Sequence, residues 1–170
     1  MELITNKNQC CGCTACYSVC PKKAITMEYD EEGFLYPSIN QELCVDCGMC
    51  KSVCAFQNGY EKHPVIKGYA LKHKDLNTRM TSRSGGAFAG ISDHILSLGG
   101  VIYGAVYNDD FSVSHFRCDN KNDLKKIQGV KYIQSEMNDI FSSVKADLKA
   151  DKYVLFSGTS CQVAGLLAYL

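Results

Sequence analysis

The sequence lacks any excess of charge: 18 Lys and Arg balance 18 Asp and Glu. Net charge therefore argues neither for nor against a polyanionic partner. There is no run of basic residues of the kind that marks a nucleic-acid or membrane-binding surface. No apolar run approaches the roughly 20 residues that cross a bilayer. The first nine residues are polar and hold no secretory hydrophobic stretch. These absences predict a cytoplasmic protein with no membrane span and no nucleic-acid partner. What remains is ordinary for a globular chain of 170 residues, 46% hydrophobic and 21% charged, with room for one or two domains.

Cysteine is the exception. Of 11 cysteines, nine fall within the first 54 residues, in two tight clusters. In a secreted chain such density would mean disulfides. Here, with no signal sequence and with two-residue gaps, metal binding is the better reading. The first run places Cys10, Cys13, Cys16 and Cys20 at C-x2-C-x2-C-x3-C, followed by Pro21. The second places Cys44, Cys47, Cys50 and Cys54 at the same spacing, 34 residues on. Both runs end in Ser-Val-Cys, which marks an internal repeat.

The spacing has a physical reason. Two-residue gaps let successive thiolates curl around one cubane while loop N–H groups face its sulfurs. The fourth cysteine lies just beyond, entering a short helix, and reaches the other cluster. Two 4Fe-4S clusters are therefore expected, held crosswise. Cys10, Cys13, Cys16 and Cys54 form one ligand set; Cys20, Cys44, Cys47 and Cys50 form the other. Pro21 stops the turn from continuing; Ala55 takes its place after the second run. Structural zinc is the competing reading, but zinc sites use well-separated C-x2-C pairs. Cys11 is left over, as a thiol beside the ligands or simply a buried residue.

Between the runs, residues 24–29 and 34–39 alternate like strands around an Asp30-Glu31-Glu32-Gly33 turn. The module resembles the bacterial two-cluster ferredoxins over about residues 2–58. We take 1–58 as a ferredoxin-type domain and 59–65 as a linker.

Beyond the linker, strands alternate with helices, implying an α/β domain over 66–170. Strands are expected at 67–72, 101–107, 113–117 and 153–156. A helix is expected at 87–98, with Phe88, Ile91, Ile95 and Leu98 on one stripe, ended by Gly99-Gly100. A second is expected at 138–150, with Ile140, Phe141, Val144 and Leu148 inward, and a third from Cys161. The whole reads as α+β, with a ferredoxin-like two-cluster domain followed by a partial α/β domain.

Two loop-to-helix junctions carry small residues where free N–H groups face outward. Ser84-Gly85-Gly86 and Gly158-Thr159-Ser160 each read as an anion cradle or as plain helix capping. Arg83 is the cation best placed by charge for a cofactor phosphate. Cys161 sits at a helix start that favours thiolate. It reads as a ligand of a further cluster, a flavin neighbour, a reactive thiol or a buried small residue. Cys118 reads as an ordinary thiol on an exposed strand end. His63, His73, His94 and His115 lack ligand spacing and read as structural or surface residues.

Four segments occur in order: Ser84-Gly85-Gly86, residues 98–105, residues 128–135 and residues 155–166. Together they resemble the N-terminal portion of the coenzyme F-420 hydrogenase/dehydrogenase beta-subunit family. Val130 stands where that family usually has serine, and Ser160 where it usually has proline. The resemblance implies an iron–sulfur flavoprotein oxidoreductase that passes electrons between clusters, FAD and a substrate such as a deazaflavin. It implies FAD in the full-length protein, near Arg83, Ser84, Gly85, Gly86, Gly158, Thr159 and Cys161. By family position, Lys131 and Tyr132 contact the flavin or its phosphates, or form a loop packed on the core. Family members continue well past residue 170, so the chain reads as a fragment or a shortened gene product. The competing function is an electron-carrier module with no flavin of its own that docks a partner reductase.

Overall fold

A computed structural model of the chain describes residues 3, 4, 6–59 and 64–170. His63 and most of the 59–65 linker lie outside the described residues. The chain divides into two compact units. The first comprises Met1–Glu61, Met137–Ser142 and Gly158–Leu170; the second comprises Lys62–Glu136 and Ser143–Ser157.

The first unit opens with a single 3-10 turn, then α1 (Ala15–Val19) and a hairpin of β1 (Ile25–Tyr29) and β2 (Leu35–Ile39). The strands pair antiparallel from Ile25 with Ile39 to Tyr29 with Leu35. The acidic turn closes them: Asp30 Oδ1 accepts from the N–H groups of Glu32 and Phe34, both at 3.0 Å. Helices α2 (Met49–Ser52) and α3 (Ala55–Asn58) follow. Leu3, Ile25 and Cys50 are buried, with Tyr17 and Ile39 packed against them.

The last helix of the chain, α8 (Ser160–Tyr169), belongs to this unit and packs on α1 and α3. Of the α/β domain expected over 66–170, residues 137–142 and 158–170 thus cluster with the first unit. Residues 158–170 fold with the cysteine module because α8 turns Gln162, Gly165 and Leu166 inward. At Gly165 an added Cβ would lie 2.9 Å from Cys13 Sγ, so only glycine permits this approach.

The second unit contains α4 (Leu76–Thr81), α5 (Ala87–Ser97), β3 (Val101–Tyr107), β4 (Val113–Cys118), α6 (Lys121–Ile127) and β5 (Val154–Phe156). Its sheet runs in the order β4-β3-β5, with β4 antiparallel and β5 parallel to β3. Ile102, Val106, Cys118, Leu124 and Ile127 form the core, joined by Phe88, Ile95 and Leu96 from α5. Helix α7 (Ile140–Lys149) spans the division, with its first residues in one unit and the rest in the other.

Four local expectations change. Residues 67–72 form no strand; they are exposed and, among the described residues, belong to neither sheet. On α5 the buried residues are Ala89 and Ser92, whereas Ile91 and Leu98 face solvent. On α7 Leu148 is exposed and its neighbour Asp147 is buried instead. Cys118 is fully buried in the sheet core, where its thiol donates to the Asn120 carbonyl at 3.1 Å.

Candidate iron–sulfur sites

The sequence repeat is also a repeat of backbone conformation. Gly12 and its counterpart Asp46 both have positive φ, at 63° and 49°. Thr14 and Gly48 do too, at 66° and 76°. Left-handed residues alternating along a loop turn successive N–H groups to one side, the arrangement that suits an anion. Holding Thr14 and Asp46 there costs on the order of 1 kcal/mol or more each, so the shape of both loops is imposed by what surrounds them. Part of that N–H supply already meets sulfur: Gly12 N–H donates to Cys10 Sγ at 3.4 Å, and Ala24 N–H to Cys20 Sγ at 3.3 Å.

Cys20, Cys44, Cys47 and Cys50 line one cleft of roughly 350 Å3, partly open to solvent, walled also by Pro21, Ile25 and Ile39. Burial raises the Cys50 thiol pKa, with Cys47 and Cys20 adding to the shift as neighbouring charges. One cysteine from the first run thus stands among three from the second.

The mirror-image arrangement surrounds Cys16. Burial pushes its pKa up to about 12, and Cys13, Cys10 and Cys54 contribute as nearby charges. Burial also raises Cys10, again with Cys13 and Cys54 among the causes. Four thiols crowded together resist ionising in sequence, which is the condition a bound cation relieves. Among the described residues, the buried hydroxyls of Thr14 and Ser18 in this loop and its helix have no hydrogen-bond partner. Two orphaned hydroxyls in the segment between Cys13 and Cys20 fit an acceptor-rich sulfide cluster. Also among the described residues, no three His, Cys, Asp or Glu side chains are arranged to hold a single metal ion.

Two features at this site escape the spacing argument. Cys20 does not enter a helix but caps the C-terminus of α1, whereas Cys54 does enter one, as the N-cap of α3. The approach of α8 was also not anticipated, although Cys161 and Gly165, four apart on one helix face, were a legible signal. The spare thiol, Cys11, donates to Cys13, which raises its own pKa strongly and lowers that of Cys13.

The residues considered for flavin are divided between the units. Arg83, Ser84, Gly85, Gly86, Lys131 and Tyr132 belong to the second; Gly158, Thr159 and Cys161 belong to the first. Arg83 and Ser84 are exposed. Gly85 leaves no room for a Cβ against the Leu71 carbonyl, and its own carbonyl accepts from His73 N–H at 2.6 Å. Gly86 starts α5 from a left-handed conformation. The Lys131 ammonium donates to the carbonyls of Lys126, Ile127, Gln128 and Gly129 at 2.9–3.3 Å, and Tyr132 projects into solvent. Thr159 N–H donates to Gln162 Oε1 at 2.9 Å, one arm of a capping box at the start of α8.

Comparison with known proteins agrees with the first-unit geometry. Residues 9–58 match the 4Fe-4S dicluster domain family. An uncharacterized ferredoxin of Methanocaldococcus jannaschii is 37% identical over 54 residues, 32% of this chain and 69% of that protein. Pyruvate synthase subunit PorD of Thermotoga maritima is 35% identical over 57 residues, 34% of this chain and 54% of that protein. Ketoisovalerate oxidoreductase subunit VorC of Methanothermobacter marburgensis is 32% identical over 62 residues, 35% of this chain and 78% of that protein. All three similarities cover about a third of the chain. Through that third, the chain belongs to the 4Fe-4S dicluster ferredoxins and carries a ferredoxin-type electron-transfer domain.

Proposed function

We propose that the chain is the electron-transfer part of an iron–sulfur flavoprotein oxidoreductase. Cys10, Cys13, Cys16 and Cys54 hold one 4Fe-4S cluster, and Cys20, Cys44, Cys47 and Cys50 hold the other. The observation that carries this reading is the cleft that Cys20 shares with Cys44, Cys47 and Cys50. When bound, such clusters supply one-electron transfer at a potential set by hydrogen bonds and burial. The chain's contribution is to fix the thiolates, aim loop N–H groups at the sulfurs and limit water. FAD in the full-length protein, in the part that resembles the F-420 hydrogenase beta-subunit family, would convert that traffic to two-electron chemistry. The ordered motifs of residues 84–166 support this step. The partner is then a redox protein or a flavin or deazaflavin substrate. PorD and VorC are named as oxidoreductase subunits, which supports a partner within an oxidoreductase.

Two observations favour the narrower reading of an electron carrier without its own flavin. Lys131 is engaged by four carbonyls, and Thr159 and Cys161 fold with the ferredoxin unit rather than the sheet. Anaerobic purification followed by iron analysis, optical spectroscopy and cofactor extraction tests both readings. About eight irons per chain with flavin bands supports the flavoprotein. About eight irons without extractable FAD leaves the carrier. About four irons, or bound zinc, overturns the ligand assignment.

A further inference from the structure

The two cysteine runs match position for position but differ in their hydroxyl groups. Thr14 in the first run corresponds to Gly48 in the second, and Ser18 to Ser52. Thr14 and Gly48 share a left-handed backbone, with φ of 66° and 76°. Glycine adopts that conformation freely, whereas a β-branched residue there is an outlier. Threonine therefore holds the position at a cost. Of the groups it brings that glycine lacks, the hydroxyl is left unpaired. Thr14 is only 3% exposed, and among the described residues its Oγ1 has no partner. Ser18 N–H donates to the Thr14 carbonyl at 2.9 Å, so the two residues share one helical turn. Ser18 Oγ is buried and unpartnered as well. In the second run the matching hydroxyl is already engaged, because Ser52 Oγ donates to the Met49 carbonyl at 2.8 Å. The first loop thus holds two buried O–H donors without a protein acceptor; the second holds none at the matching positions.

We infer that Thr14 and Ser18 tune the reduction potential of the cluster held by Cys10, Cys13, Cys16 and Cys54, by donating their hydroxyls to its sulfur atoms. The inference rests on the ligand assignment proposed above. A buried hydroxyl without an acceptor is costly, and the acceptors that ligation supplies to this loop are thiolates and sulfides. One-electron reduction makes the cluster more negative, breaks no bond and needs no proton from either hydroxyl. A hydrogen bond to sulfur is stronger in the more negative form, so each donor raises the potential. Neither residue is a ligand. The two clusters, alike in their four cysteines, are thereby made unequal. The first gains a stabilised reduced state from two side chains that have no free counterpart at the second, where Cys47 is instead open to water.

The test is an EPR-monitored redox titration of the iron-loaded chain, in which the signal altered by Cys54→Ser marks the first cluster. Thr14→Val keeps the β-branched shape and removes only the hydroxyl; Ser18→Ala removes the other. Each should lower the reduction constant of that cluster about tenfold, a shift of about 59 mV for one electron, and leave the second cluster's potential in place. Thr14→Ser, which keeps a hydroxyl, should hold the wild-type value. Ser52→Ala should change neither potential, because that hydroxyl is engaged by Met49. Iron should stay at about eight per chain in all four variants. Unchanged potentials in Thr14→Val and Ser18→Ala at full iron overturn the inference, and so does an equal shift of both clusters. If Thr14→Val loads poorly, Ser18→Ala carries the same test; loss of iron in both makes the hydroxyls structural and also overturns it. Failure of the ligand assignment itself is seen separately, as low iron in the wild type.

Discussion

Asp147 shows how one buried charge organises the second unit. Its carboxylate accepts from Arg117 Nε at 2.7 Å and Nη2 at 3.1 Å, from Lys152 Nζ at 2.9 Å and from the Tyr103 hydroxyl. The side chain of Asp147 is only 9% exposed, while those of Arg117 and Lys152 are 32% and 39% exposed. The guanidinium of Arg117 beside it holds the carboxyl well below the usual carboxylate range. Removing one member of a fully buried pair typically costs about 3–5 kcal/mol. Here Arg117 and Lys152 reach water, so Asp147→Asn should cost less, about 2 kcal/mol, read as a lower denaturation midpoint. The sign with pH follows from the depressed pKa. The contribution is complete above the unfolded value of about 3.9 and fades as pH falls through the folded value. The gap between wild type and variant should therefore narrow below about pH 4; a gap constant with pH would remove the charge from the explanation. Gly165 makes the complementary point about space. Gly165→Ala should push α8 or Cys13 aside, and iron bound after anaerobic reconstitution should drop toward about four per chain. Unchanged iron content would mean that the Cys13 loop yields freely.

Among the elements, α6 tests whether a family-based role survives local chemistry. Helix α6 begins with Asn120, whose side chain accepts from Asn122 and Asp123 N–H groups. Its other end exposes carbonyls, and Lys131 gathers four from the end of the helix and the turn beyond it. A cation at a helix C-terminus contributes about 0.3–1 kcal/mol, more when partly buried. Burial lowers the Lys131 pKa. Lys131→Met should thus destabilise by about 1 kcal/mol, on the order of 5 °C in melting for a unit this size. If Lys131 also serves flavin phosphates, the variant will lose FAD at temperatures where it remains folded. The sequence made most such elements legible. The β1–β2 hairpin, α5, β3, β4 and β5 lie close to where alternation and punctuation put them, because each owes its form to local pattern. The failures have a common cause. Residues 67–72 carry strand-like alternation but, among the described residues, join no sheet, and periodicity cannot report pairing. On α7 the period placed Leu148 inward, yet Asp147 took the buried position because the distant Arg117 and Tyr103, together with nearby Lys152, satisfy its charge.

At the scale of the whole molecule, the cysteine count was readable because cluster ligation demands fixed spacing, whereas the joining of residues 158–170 to the first unit was not. It depends on Gly165 meeting Cys13 across a separation that no local pattern encodes. The crosswise assignment has the same long-range character, and it predicts an inverted pattern of damage. Cys20 lies in the first run but lines the cleft of Cys44, Cys47 and Cys50. Cys54 lies in the second run but acts on Cys16 together with Cys10 and Cys13. Cys20→Ser should therefore perturb the cluster held by the second run, and Cys54→Ser the cluster held by the first. A serine oxygen replaces a soft thiolate with a harder, more basic donor, so each variant should show one altered reduced-state EPR signal and one retained. Combining Cys20→Ser with Cys47→Ser should still leave the other signal intact, because both changes fall on one ligand set. Combining Cys20→Ser with Cys13→Ser should disturb both signals. Were the ligands partitioned run by run, those two double variants would exchange outcomes, and the shared cleft would have to be a folding contact rather than a ligand set.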